Sequence, residues 1–313
     1  MRKILVTGSA GFLGSNLCSV LLKQGHEVYG LDNLSTGSKR NLEPLANSKN
    51  FFFYDADLTL GLPKDLELRF DYIYHFASPA SPPRYLALAL ETIAVNTTGT
   101  KILLDHVKKH GGRILFASTS EIYGDPLQHP QNESYWGNVN PIGPRSVYDE
   151  AKRLGETLVS LYQRNGWAET SLIRIFNTYG PHLDPDDGRV VSSFLRDGIL
   201  GRPLTVFGDG TQTRSFCFVD DLIDGIVMTM EKGFTGPVNL GNPNEFTLLE
   251  LAKKVGRVLG INPNLEFQEL PQDDPKQRKP DISLAMTELG WKPTVELDAG
   301  LEITASWMKK VLL

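Results

Sequence analysis

The first 32 residues impose the strongest constraint on the fold. "RKILVTG" is a β-branched apolar run, "SNLCSVLLKQG" has helical spacing, and "EVYGLD" reads as a second strand ending in Asp32. Between the first strand and the helix, "VTGSAGFLGSN" sets Gly8, Gly11 and Gly14 in a G-x-x-G-x-x-G pattern. The alternation continues. "FFFYDAD", "DYIYHFAS", "RILFAST" and "SLIRIFN" read as strands, with helix candidates "LETIAVNTTGTKILLDHVKKHG" and "YDEAKRLGETLVSLYQRNG" between them.

Near-continuous apolar strands interleaved with helices predict an α/β fold with a parallel sheet covered on both faces. Right-handed crossovers make it a Rossmann-type doubly wound sheet. The 313 residues suffice for a main domain with a smaller partner. Past about residue 177 the regularity fades and Gly, Pro and Asp rise, as in "NTYGPHLDPDDGRVV" and "VFGDGTQTRSF". That composition suits a smaller lobe whose loops close over a ligand.

Net charge is -5 with no long block of one sign, so nothing argues for nucleic acid or membrane partners. Cys18 and Cys217 read as buried apolar thiols. The six histidines show no close pairing, and no metal site is expected. The sequence opens on a strand without a charged-then-apolar leader, which reads as a cytoplasmic protein.

Glycines at a strand–helix turn let the backbone approach a pyrophosphate on the helix N-terminus. Asp32 lies roughly 20 residues on, where the ribose-binding acid of a dinucleotide site is expected. A carboxylate there repels a 2′-phosphate, so the cofactor expected is NAD. Lys39 and Arg40 are the residues that argue for NADP. The expected cofactor contacts are Gly8, Gly11, Phe12, Leu13, Gly14, Asp32, Asn33, Thr36 and Gly37. Asp57 and Leu58 follow beside the adenine, and Phe76 and Ser78 in the proline-rich "SPASPP" loop, which is too rich in proline for a helix or central strand. In this division residues 1–176 form the NAD-binding domain, with a returning segment near 207–240. Residues 177–206 and 241–313 form the substrate-binding lobe.

"SVYDEAKR" places Tyr148 and Lys152 at i and i+4 on one helix face. Tyrosine titrates near pH 10. An ammonium about 5 Å away contributes roughly 3 kcal/mol at an effective dielectric of about 20, or about two pKa units, and the positive charge of the oxidised nicotinamide adds to this. Tyr148 would then serve as base, with Thr119 on the same oxygen and Lys152 also at the cofactor. A glycine loop, a strand-end Thr119 and a Y-x-x-x-K pair together resemble the extended short-chain dehydrogenase/reductase superfamily.

Within it, "HFASPASPPRY", "STSEIYGDP", "HPQNESYWGNVNPIGPRSVYDEAKR", "RIFNTYGP", "DGRVVS", "QTRSF" and "QRKPDI" are similar to the UDP-glucuronate decarboxylase (UDP-xylose synthase) family across essentially the whole chain. Ala151 departs from the glycine usual in "YDEGKR"; alanine is the better helix former. The resemblance implies C4 oxidation of UDP-glucuronate, loss of carbon dioxide from the β-keto acid, and re-reduction. It adds Glu121 and Arg278 to Thr119, Tyr148 and Lys152 as catalytic residues, with Ser120 assisting. Glu121 could hydrogen-bond the sugar, relay a proton or form a structural salt bridge. Arg84, Tyr85, Glu121, Asn177, Arg189, Arg214 and Arg278 are the expected substrate contacts, with Asn177 and Arg214 on the pyrophosphate. Apolar positions on more than one helix face imply a homodimer. The competing readings are a UDP-sugar 4-epimerase, a 4,6-dehydratase and a non-catalytic NAD sensor.

Overall fold

The computed structural model describes residues 1–270 and 277–313. Strands β1 (Lys3–Thr7), β2 (Glu27–Asp32), β3 (Phe51–Asp55), β4 (Tyr72–His75), β5 (Arg113–Thr119) and β6 (Glu169–Ile175) pair in parallel, in the order β3-β2-β1-β4-β5-β6. A seventh strand, Val238–Leu240, adds to β6, also in parallel. The order reverses between β1 and β4, and the crevice beyond the carboxyl ends at that switch point is where such sheets bind ligands.

The apolar strand runs have the physical cause anticipated from the sequence. Ile4 and Val6 pack in one cluster with helix α1 (Phe12–Lys23) and the helix Val219–Glu231. Leu5, between them, packs in the other, with the helices Thr100–His110 and Ser146–Arg164. All three are fully buried, so alternate residues of this strand face two dry layers.

Three expectations change. The long helix expected over residues 90–111 is interrupted: Ala89–Ala94 runs through a π turn, Val95–Gly99, into Thr100–His110. Thr97 and Thr100 donate their hydroxyls to the carbonyls of Ile93 and Asn96, and such bonds compete with the regular ladder. The prolines of "SPASPP" do not exclude a helix, because Pro82 and Pro83 open Pro82–Ala87, where no intrahelical N–H is missed. Beyond β6 the chain is more regular than its composition suggests, with helices Val190–Ile199, Val219–Glu231, Leu248–Leu259 and Leu297–Leu312. Cys18 and Cys217 are buried free thiols. Among the described residues no helix is long and apolar enough to cross a membrane.

The helix Ser146–Arg164 lies close on β5 because Gly155 has no side chain. A Cβ there would stand 2.4 Å from the Phe116 ring. Gly155→Leu is expected to cost about 1–3 kcal/mol through overpacking. The urea midpoint measures it, and an unshifted midpoint would show that the helix can move off the sheet freely.

Candidate active site

β1 ends at Thr7 and the chain turns through Gly8 in left-handed backbone, φ 76°, before α1 begins. A Cβ on Gly8 would meet the backbone of Phe76 and Ala77 at 2.7 Å, and one on Gly14 the Gly8 carbonyl oxygen at 2.0 Å. Gly11 caps α1 without a side chain, leaving the first helical N–H groups facing the loop. The Asp32 carboxylate accepts the N–H of Ala10 at 2.9 Å and of Leu34 at 2.8 Å, which fixes it beside that loop. Burial nevertheless raises its pKa. A cavity of about 280 Å³ opens here, lined by Gly8, Gly11, Asp32, Asn33, Thr36, Asp57, Leu58, Phe76 and Ser78. Phe12, Leu13 and Gly14 form the start of α1, and Gly37 backs onto Ala10 and Asp32. Ser35, Ala77 and Val95 also line the cavity and were not singled out from the sequence. Bare helix N–H groups beside an acid oriented by two backbone donors fit a dinucleotide.

Thr119 ends β5, and the Tyr148 side chain hydrogen-bonds to it. Lys152 donates to the Ala117 carbonyl at 2.7 Å, with its Nζ 5.7 Å from the centroid of the Tyr148 ring. The three groups therefore share one face, as their spacing predicts. Their electrostatics differ from the expectation. Tyr148 is pushed above its ordinary pKa, because burial outweighs its hydrogen bond from Thr119. Lys152, fully buried, falls to about 7 for the same reason, offset in part by Glu156. A dry site penalises both charges, so the ammonium alone does not activate the phenol. Tyr85 stacks flat on Tyr148, with centroids 4.9 Å apart and planes 5° apart. Its buried hydroxyl finds no partner among the described residues.

Glu121, two residues past Thr119, is held by two arginines. Glu121 sits in the 3-10 turn Ser120–Tyr123, its N–H bonded to the Thr119 hydroxyl at 3.2 Å. Arg278 grips its carboxylate at both oxygens, at 2.5 and 2.8 Å, and Arg145 adds a third contact at 2.7 Å. Burial alone would raise the Glu121 pKa, but Arg278 and then Arg145 hold it well below the carboxylate range. Asp149 beside it moves the opposite way. Burial and the Glu121 charge push it up, more strongly than Arg145 and Arg278 pull it down. Its Oδ1 is buried without a partner among the described residues. Neither Arg145 nor Asp149 was singled out, although both lie in the "PRSVYDEAKR" motif; charge next to Tyr148 was the signal available.

Arg214 is the strand neighbour of Arg278, paired with it in register between the strands Gln277–Arg278 and Thr213–Ser215. Arg189 pairs with Asp187 while its charge reaches Tyr148 and Glu121. Asn177 follows β6, where its carbonyl accepts the Cys217 N–H at 2.9 Å. Ser120 is buried behind Thr119. Arg84 is engaged elsewhere, exposed and paired with Asp184 at 3.0 Å, so of the neighbours Arg84 and Tyr85 only the tyrosine is turned to Tyr148. A larger open groove of about 760 Å³ lies at the amino ends of the strands, away from the glycine loop, but charges there pair with each other, Arg2 with Glu231 and Arg113 with Glu169.

The sequence profile of the NAD dependent epimerase/dehydratase family matches residues 4–241. The chain belongs to the NAD-dependent epimerase/dehydratase family. Within that family it is 46% identical over 311 residues to UDP-glucuronic acid decarboxylase 1 of Xenopus tropicalis, covering 99% of this chain and 73% of the relative. UDP-glucuronic acid decarboxylase 3 of Arabidopsis thaliana is 50% identical over 304 residues, 96% of this chain and 87% of the relative. Among solved structures, UDP-glucuronic acid 4-epimerase from Bacillus cereus, in complex with UDP-glucuronic acid and NAD, superposes with a TM-score of 0.90 at 31% identity, covering 99% of each chain.

In this member of the epimerase/dehydratase family the proton on Asp149 gives a measurable stability signature. Below about pH 4 an unfolded aspartate is protonated as well, and Asp149 carries no extra cost. As pH rises the unfolded chain ionises while native Asp149 keeps its proton, so stability is lost progressively up through the raised native pKa. Asp149→Asn removes that loss. Its melting temperature relative to the parent is expected to rise between about pH 5 and pH 9; a constant difference across the range would disprove the shift.

Proposed function

We propose that this protein decarboxylates UDP-glucuronate to UDP-xylose with catalytic NAD. The observation that carries the reading is Glu121, clamped by Arg278 and Arg145 next to the Thr119–Tyr148–Lys152 set. Relatives named UDP-glucuronic acid decarboxylase, similar over nearly the whole chain, support it. NAD, when bound, takes up hydride from C4 and later gives it back.

In this reading Tyr148 removes the proton of the C4 hydroxyl while Thr119 holds the same oxygen. Tyr85 stacks against Tyr148 and excludes water from it. The new C4 ketone lies β to the C5 carboxylate. Loss of carbon dioxide moves the bond's electrons into the carbonyl, giving an enolate that must be reprotonated at C5. Glu121, held ionised by its two arginines, is suited to accept hydrogen bonds and position the ring rather than to donate a proton. Of the two buried carboxyls, Asp149 is the one that holds a proton at neutral pH. Arg214 and Asn177, with Arg189 nearby, are the UDP contacts, and Ser120 assists Thr119. The NAD domain is 1–176 with the returning segment near 207–240, and 177–206 with 241–313 forms the substrate lobe; Val238–Leu240, which joins the main sheet beside β6, supports the return.

Incubation with UDP-glucuronate and NAD, followed by proton NMR, should show UDP-xylose without net NADH. UDP-galacturonate as the sole product would replace this reading by epimerisation, the activity named for the solved neighbour. Tyr148→Phe is expected to lower turnover at least about 100-fold with NAD binding retained. Glu121→Gln and Arg278→Ala are expected to impair decarboxylation more than nucleotide binding, and turnover like the parent's would remove that residue from the mechanism.

A homodimer in the cytoplasm completes the proposal. The exposed Leu86, Leu90, Ile93, Leu154 and Leu161 on the helices flanking the site offer the apolar face a two-fold interface needs. Light scattering at micromolar concentration should give twice the monomer mass; a monomer would refute the dimer.

A further inference from the structure

The histidines are not all apart, as the sequence reading expected. His106 and His110 stand one turn apart near the end of the helix Thr100–His110, with ring centroids 4.5 Å apart. Glu67, at the close of the 3-10 turn Lys64–Leu66, reaches the same spot. One ligand atom from each of the three lies within 4.8 Å of the others. We propose that Glu67, His106 and His110 form a binding site for a zinc-class divalent cation.

Three observations support the geometry. First, the His106 Nε2 is 2.9 Å from the Leu68 carbonyl, which can only accept, so this nitrogen carries the proton and Nδ1 keeps its lone pair. Metal-binding histidines are oriented by such a bond on their second nitrogen. Glu67 and Leu68 are neighbours, so one short segment supplies both a ligand and the group that orients another. Second, His106 is buried, so its imidazole is held in place by its surroundings. Its ring is also backed by Phe70 at 5.8 Å. Third, Oε2 of Glu67 and Nε2 of His110 are 3.3 Å apart. Two ligands on tetrahedral bonds of about 2.0–2.1 Å are separated by about 3.3 Å, so this pair already has the spacing of one edge. His106 must close the remaining gap by small rotations of the exposed Glu67 and of His110.

The donor set selects the metal. Two imidazoles and one carboxylate favour zinc, nickel or copper over magnesium or calcium, which prefer oxygen alone. Three protein ligands leave a fourth position for water. Lys109 competes, its Nζ 3.0 Å from the same Glu67 oxygen, but it is two-thirds exposed and can swing into solvent. Cys18 and Cys217, the softer ligands, are buried away from it.

The site's place in the fold argues for stability rather than catalysis. His110 precedes the first residue of β5, Arg113, whereas Thr119 ends that strand. Seven residues at about 3.3 Å each put about 20 Å of strand between the metal site and the chemistry. A bound ion would tie the segment before β4 to the helix before β5.

Untagged full-length protein, dialysed against a chelator, should bind zinc chloride or nickel chloride in calorimetry with one saturable equivalent. Binding should raise the melting temperature by about 3 °C or more at saturation, with turnover unchanged. His110→Ala and Glu67→Gln should each weaken binding at least about tenfold and abolish the thermal shift, while His129→Ala, a histidine elsewhere on the surface, should keep both. Absence of saturable binding, or equal binding by His110→Ala and the parent, would overturn the proposal. Using His110 and Glu67 avoids the buried His106, whose loss could unfold the helix end.

Discussion

An ionised glutamate with only 15% of its side chain exposed, Glu121, is tolerated because two guanidiniums close around it. Removing such a charge from water costs several kcal/mol unless partners replace the hydration shell. The partners come from separate parts of the chain: Arg145 from the start of the helix that carries Tyr148, Arg278 from a two-residue strand paired to Thr213–Ser215. The carboxylate thus ties the end of β5, the helix with the tyrosine and the C-terminal segment into one rigid corner. Lys152 and Glu156 also bond that helix to β5, at the Ala117 carbonyl and the Ser118 hydroxyl, and Glu121 adds the C-terminal segment to them.

Proton placement in that corner follows from the same burial. Glu121 is driven to the charged form by its arginines, and its charge helps drive Asp149 to the neutral form. Two carboxyls side by side in a dry site settle into one ionised and one protonated member. Tyr148 and Lys152 obey the same rule. Burial raises one and lowers the other, so in the protein alone the phenol keeps its proton and the amine holds its own only weakly. The site is electrostatically poised for charge that arrives with its ligands, not for charge built in by the lysine.

Much of this was legible in the sequence, for local reasons. The glycine loop, the acid ending β2 and the Y-x-x-x-K pair are each defined by spacings within one strand–turn–helix or one helix, and Gly8, Asp32, Tyr148 and Lys152 stand where those spacings put them. Motifs quoted as strings also flagged Glu121 and Arg278 separately. Their bond, joining residues 157 positions apart, was not legible, nor was the engagement of Arg84 by Asp184. The interruption at Val95–Gly99 was missed because threonines bonding back to the chain leave the apolar period intact.

The sequence by itself determined the parallel sheet and the position of its site, since apolar runs must be buried and glycines must turn where no side chain fits. Tertiary structure alone decided the protonation of Asp149, the depressed Lys152 and the meeting of Glu67 with His106 and His110. Those depend on how much water remains around each group and on which distant residue replaces it. Neither quantity is written in spacing along a chain; both appear only when separate segments pack.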